Sequence, residues 1–210
     1  MTQMSRPPLQ SDGPVILASG SRIRRALLEN AGLAFESIPS DVDEDAVKAA
    51  ILKDDAGTAA DLAQILAEAK ASMVSDDHAG AFVIGCDQTL EFEGAVLSKP
   101  ETIEAARQQL LDLRGKTHQL HAAVTLIRDG ETLWRHVETV RVTLRPFTPQ
   151  CLGKYLAQAG PVVLESVGAY QIEGPGAHLI ERIDGDFFAV LGLPLLPLLS
   201  ALRDAGVLET

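Results

Sequence analysis

Short apolar runs and helix-period stretches alternate along most of this chain. Residues 14–19 form an apolar run suited to a buried strand, and residues 21–30 follow with a helical pattern closed by Ala31-Gly32, the glycine placed as a C-cap. Residues 33–39 predict a second strand, and Asp41-Val42-Asp43-Glu44-Asp45 opens a helical region. Leu62, Ile65, Leu66, Ala69 and Met73 recur at helical spacing through Ser75. Residues 81–86 predict a compact strand ending at Asp87, and Gly94 marks a hairpin turn between 90–93 and 95–97. Residues 102–113 are helical, with Gly115 just beyond. Two long strand-like segments, 117–128 and 131–145, are joined by Asp129-Gly130, a strong hairpin signal. Thr148-Pro149 starts a helix running to about Ala159, and a last helix begins near Pro194. Hairpins among strand–helix alternations predict an α/β protein whose sheet is mixed rather than wholly parallel.

Composition narrows the function. A chain of 210 residues with 46% apolar and 22% charged residues buries a full core, as one large domain or two small lobes. The net charge of −11 speaks against nucleic acid as a partner, which needs a basic surface, although clustered cations aided by a divalent metal still suit a polyphosphate. Cys86 and Cys151 have no ligand-like spacing, which fits neither a disulfide framework nor a zinc site and points to a reducing cytosol. Residues 1–13 lack an apolar core and are expected to be a frayed tail rather than a signal peptide. The most apolar segment, 190–202, is too short for a bilayer and carries Pro194 and Pro197, so a cytoplasmic protein without membrane contact is expected.

The candidate chemistry starts at Ser19, Ser21, Arg24 and Arg25, where a strand gives way to a helix. Backbone N–H groups, hydroxyls and guanidinium forks there suit a phosphate, but a plain serine cap with solvated arginines explains the same residues. Among Asp41, Asp43, Glu44 and Asp45, a solvated helix start competes with Glu44 as a hard-cation ligand. Asp87 follows a buried strand, where α/β sheets present ligands; it suits a metal or water activation, or simply opens a turn. Lys70 and Lys99 suit phosphate contacts or solvent alike. His118 and His121, three apart in a strand, point to opposite faces and make a poor metal pair, and Cys86 is a small buried strand residue.

In order along the chain, LASGSRIRRALLENAGLAFE (17–36), DVDE (41–44), LAEAKA (66–71), GCDQTL (85–90), SKP (98–100), LRGKTHQL (113–120) and GAYQIEGPGAHLIERIDGDFFAVLGLPL (168–195) resemble the Maf family of nucleoside triphosphate pyrophosphatases. The resemblance implies a single Maf-like domain over 14–210, with an elongated mixed sheet flanked by helices and a central cleft, as in inosine triphosphate pyrophosphatases. It implies cleavage of a nucleoside triphosphate to the monophosphate and pyrophosphate with Mg²⁺ or Mn²⁺, frequently as a homodimer. By the same resemblance Ser19, Arg24, Arg25, Lys70 and Lys99 neutralise the phosphates, Ser21 also binds substrate, Glu44 and Asp87 hold the metal, and Asp87 is the general base. Gln88, Glu173 and the Ser-Arg-Ile-Arg-Arg segment resemble the subfamily that prefers 7-methyl-GTP, a carboxylate such as Glu173 suiting a cationic base, whereas Tyr170 matches the dTTP/UTP type. Two rivals are a sugar-phosphate nucleotidyltransferase, whose second loop glycine is missing here, and a nucleotide-binding regulator of septum formation and cell-division arrest.

Overall fold

The structure, a computed structural model, describes residues 10, 13–53 and 57–209. Most of the expected tail lies outside these residues, but Gln10 is tied down: its side-chain amide exchanges hydrogen bonds with the Ala34 backbone at 2.8 and 2.9 Å, and it bridges Leu208.

Among the described residues, seven strands form one sheet in the order β2-β1-β3-β5-β6-β7, with β4 also paired to β3. They are β1 (Val15–Ala18), β2 (Glu36–Ser37), β3 (Phe82–Phe92), β4 (Ala95–Leu97), β5 (Thr117–Arg128), β6 (Glu131–Leu144) and β7 (Ile180–Asp184). β1 runs parallel to β2 and β3, and the remaining pairs are antiparallel, so the sheet is mixed. The β5–β6 hairpin, turned at Asp129-Gly130, makes it elongated: 12 residues at about 3.4 Å each span roughly 40 Å.

Helices α1 (Arg22–Asn30), α2 (Glu44–Ile51), α3 (Ala59–Ser75), α4 (Ile103–Leu113), α5 (Pro149–Ala159), α6 (Phe187–Val190) and α7 (Leu195–Asp204) surround the sheet. Leu28 of α1 and Leu198 and Leu202 of α7 pack on Leu17, Ile84 and Leu126. Ala71 and Val74 of α3 pack on Ile16, Val83 and Ile127. At the far end, Leu110 and Leu113 of α4 and Leu152 of α5 share a core with Leu120 and Val142.

Two strands differ from the sequence expectation, each for a pairing reason. Of residues 33–39 only Glu36–Ser37 is a strand, because β1 offers just Ile16 and Leu17 as partners. β3 does not stop at Asp87 but continues to Phe92, since β5 pairs with it without a break from Phe82 to Glu91.

The other edge of β3 is split. β1 pairs only as far as Ala18 opposite Gly85, and β4 takes over from Leu97 opposite Leu90. Residues 86–89 have no strand partner on that side, and a cleft opens there.

Candidate active site

The cleft has a volume of about 860 Å³, within the size range of small-molecule sites. It lies between the end of β1, α2, the segment after β4, and residues 164–173 and 190–192.

A lysine joining two carboxylates forms its floor. Lys70 Nζ lies 2.5 Å from Asp87 Oδ1 and 2.7 Å from Glu44 Oε1. The side chains of Lys70 and Asp87 are each 10% exposed and that of Glu44 is 52% exposed, so the cluster is dry at its base and open toward the cleft. Close helix–sheet approach sets this geometry. A Cβ at Gly85 would stand 2.0 Å from the Ala67 carbonyl oxygen and 2.7 Å from Ala71 Cβ, so only glycine lets α3 sit this low on β3. Lys70, between those alanines, thereby reaches Asp87, two residues beyond Gly85. A reciprocal capping box between Thr58 and Asp61 fixes the start of α3.

The acidic run divides its labour. Asp43 caps α2 by accepting from the Ala46 N–H at 2.9 Å, Glu44 enters the cleft as the first helical residue, and Asp45 lines it. Asp41 is exposed and is not a cleft residue. Burial opposes ionisation of Glu44, but the hydrogen bond and charge of Lys70, with the charges of Lys99 and Arg24, outweigh it and hold the carboxyl below its ordinary range.

The arginine segment combines the cap and cleft readings. Ser21 caps α1, its Oγ accepting from the Arg24 N–H, while Ser19 Oγ accepts from the Ser21 N–H and from Arg24 Nη1 at 3.4 Å. Arg24 donates from Nε to the Gly192 carbonyl and from Nη1 to the Cys86 carbonyl, each at 2.8 Å. It thus occupies the gap in the β3 edge where strand hydrogen bonds are missing. Arg25, expected beside it, is exposed and does not line the cleft; successive helical residues diverge by about 100°. Arg22 lines the cleft instead and pairs with Glu165 at 3.1 Å.

Gln88 and Asp87 point to opposite faces of β3, as strand alternation requires. The Gln88 amide donates to the carbonyls of Ala189 and Val190 at 2.8 and 3.2 Å and so holds the wall at 189–192. Glu173 is exposed on the other wall. That wall is pinned from behind: Gln109 donates to the Val167 carbonyl, Tyr155 to the Ala169 carbonyl, and Tyr170 OH lies 2.7 Å from His118 Nε2. Lys99 is exposed at the mouth. Cys86 is fully buried and burial pushes its thiol up to about 11, so it is inert at neutral pH.

His118 gives the wall a pH signature. Burial pushes its imidazole down to about 4, and its Nδ1 is buried without a hydrogen-bond partner among the described residues. The unfolded chain takes up a proton near pH 6.5 that the folded chain refuses until about 4. Stability is therefore retained above the unfolded value and lost as pH falls toward the folded one. Urea denaturation of the wild type should lose roughly 2–3 kcal/mol from this group between about pH 7.5 and about pH 4.5, and the double variant His118→Leu/Tyr170→Phe should lack that component.

Pattern reasoning missed four charged cleft residues: Arg22, Lys48, Glu101 and Glu165. Lys48 had a legible signal, since it lies four residues after Glu44 on α2 and shares its face. Glu165 had none, because its contact with Arg22 spans 143 positions.

Among the described residues, the cleft carries five cations, Arg22, Arg24, Lys48, Lys70 and Lys99, against six carboxylates, Glu44, Asp45, Asp87, Glu101, Glu165 and Glu173. Among the described residues, no three His, Cys, Asp or Glu side chains form a metal-binding group, and no helix is long and apolar enough to cross a membrane.

Residues 14–205 match the family model described as Maf-like protein. A 7-methyl-GTP pyrophosphatase from Brucella abortus biovar 1 (strain 9-941) is 53% identical over 189 residues, 90% of this chain and 94% of the relative. One from Mesorhizobium japonicum (strain LMG 29417 / CECT 9101 / MAFF 303099) is 52% identical, covering 93% of this chain and 98% of its own. A nucleoside triphosphate pyrophosphatase from Caulobacter vibrioides (strain ATCC 19089 / CIP 103742 / CB 15) is 47% identical, covering 93% and 97%. A solved HAM1 protein from Coxiella burnetii aligns with a TM-score of 0.41 and 13% identity, covering 65% of this chain and 75% of its own.

Proposed function

The chain belongs to the Maf family, and from that premise we propose that it hydrolyses a nucleoside triphosphate, 7-methyl-GTP by preference, to the monophosphate and pyrophosphate. The observation that carries the reaction is the Lys70 ammonium shared by Glu44 and Asp87 at the bottom of a nucleotide-sized cleft.

Two carboxylates converging on one cation are a donor set that fits a hard divalent ion, which takes one or two carboxylates and completes its shell with phosphate oxygens. The charge balance agrees, since carboxylates outnumber cations in the cleft and a polyphosphate needs added positive charge. Glu44 and Asp87 would hold Mg²⁺ or Mn²⁺, which when bound neutralises phosphate charge and polarises the P–O bonds.

The protein's own groups do the rest. Asp87 Oδ1 is engaged by Lys70, and its second carboxylate oxygen accepts the proton of the attacking water. The water oxygen bonds to phosphorus at the α–β anhydride, the bridging P–O bond breaks, and pyrophosphate carries away the electron pair. Lys70, Arg24 and Lys99 offset charge that develops on the phosphates, and Arg24, fixed by two carbonyls, needs no reorganisation to do so. Ser19 and Ser21 present hydroxyls at the same end of the cleft.

Base preference rests on Glu173 and on the naming of the relatives. On that wall the Tyr170 hydroxyl is engaged by His118 and the Glu165 carboxylate by Arg22, whereas Glu173 is exposed and suited to a cationic methylated base or a guanine N–H edge. Gln88 acts through the 189–192 wall that it holds.

Pyrophosphate release measured with Mg²⁺ across dTTP, UTP, CTP, GTP, ITP and 7-methyl-GTP tests both parts. The highest kcat/KM is expected for 7-methyl-GTP. Preference for dTTP or UTP would overturn the base assignment alone, and no release from any of them would overturn the reaction. A homodimer and a cytoplasmic location belong to the same proposal, the first checked by light scattering and the second by fractionation.

A further inference from the structure

Lys48 and Lys99 stand apart from the other cations of the cleft. Lys70 is held by two carboxylates, Arg22 by Glu165, and Arg24 by the carbonyls of Cys86 and Gly192. Lys48 Nζ instead lies 2.5 Å from a neutral group, Ser98 Oγ, and has no ion-pair partner among the described residues. Ser98 thus fixes the ammonium without cancelling its charge, and two of its three N–H donors stay available. Lys99, the next residue, is likewise unpaired among the described residues and is set in an extended conformation by Pro100 behind it. In a chain of net charge −11, two cleft lysines without an ion-pair partner among the described residues, one bonded to Ser98 and the other next to it in sequence, are an anion-receiving arrangement.

Its place relative to the reacting groups gives it a role. Glu44 and Lys48 are four residues apart on α2, so both face the cleft with Lys48 about 6 Å further along the helix. Lys48 and Lys99 line the same cleft as Glu44 and Asp87, so a polyphosphate whose reacting phosphate lies at the two carboxylates has both lysines available to its remaining phosphates. We propose that Lys48, tethered by Ser98 and flanked by Lys99, forms a subsite for the terminal phosphates of the substrate and for the departing pyrophosphate.

The subsite deepens the pyrophosphatase reading and rests on it for the reaction, but its affinity for inorganic pyrophosphate is measurable without turnover. Calorimetric titration of the full chain with inorganic pyrophosphate in Mg²⁺ should give binding about tenfold weaker in Lys48→Met than in the wild type, with Lys48→Arg close to the wild type. KM for the triphosphate should rise by a similar factor in Lys48→Met while kcat stays within about twofold. Pyrophosphate affinity in Lys48→Met within twofold of the wild type would overturn the subsite. Lys48-dependent pyrophosphate binding in a wild type that cleaves no nucleoside triphosphate would uphold the subsite and overturn the reaction assigned above.

Discussion

Asp87→Asn is expected to lower kcat for pyrophosphate release by about 10²–10⁴-fold while KM changes far less, the usual size of a general-base contribution. Asn keeps the shape of the side chain and a carbonyl oxygen for Lys70, so the arrangement at 2.5 Å has a near-isosteric replacement and the fold should survive. What is lost is the basic oxygen that takes the proton from water. Glu44→Gln should differ in kind: it mainly raises the Mg²⁺ concentration needed for half-maximal rate, because the proposed role of Glu44 is to hold the metal and not to take the proton. Steady-state kinetics at saturating Mg²⁺ separates the two. An Asp87→Asn enzyme that keeps more than about a tenth of wild-type kcat would remove Asp87 from the base role.

Lys70→Met should cost about 3–5 kcal/mol of stability without added metal, the range found when one partner of a buried pair is removed. The lysine and Asp87 side chains are each 10% exposed, so an unpaired Asp87 would be left in a dry pocket facing Glu44. Methionine keeps an unbranched aliphatic stem at this buried position of α3, which confines the change largely to the charge. Mg²⁺ is expected to restore part of the loss, since a divalent cation serves the same two carboxylates. Urea denaturation in chelator and in Mg²⁺ checks both statements, and equal stability of variant and wild type in chelator would show that the ammonium does not hold the carboxylates together.

Several features were legible along the chain because their causes are local. Ser21, Asp43, Thr102 and Thr148 each cap the helix that follows, at the spacing their side chains require. The Asp129-Gly130 turn joins β5 and β6 as the dipeptide predicts, both residues having positive φ, at 51° and 76°. Cys86 is buried in a strand, and His118 and His121 have separate partners, Tyr170 for one and Glu91 with Thr139 for the other. Legibility failed where a partner strand decided the outcome, as in the continuation of β3 past Asp87. It also failed on the surface of α1, where Arg25 faces outward and Arg22 is turned to the cleft.

The sequence by itself determined where elements begin and turn, that the sheet is mixed, and which motifs accompany Glu44, Lys70, Asp87 and Lys99. Those follow from caps, periodicity and turn residues, which act within about four residues of themselves. Tertiary structure decided where the cleft lies and which charges meet in it. The gap at residues 86–89 exists because β1 leaves the β3 edge at Gly85 and β4 joins it at Leu90, pairings between segments some 70 and 7 positions away along the chain. The Lys70 bridge exists because Gly85 lets α3 settle on β3, a contact of two backbones that no pattern along either one specifies.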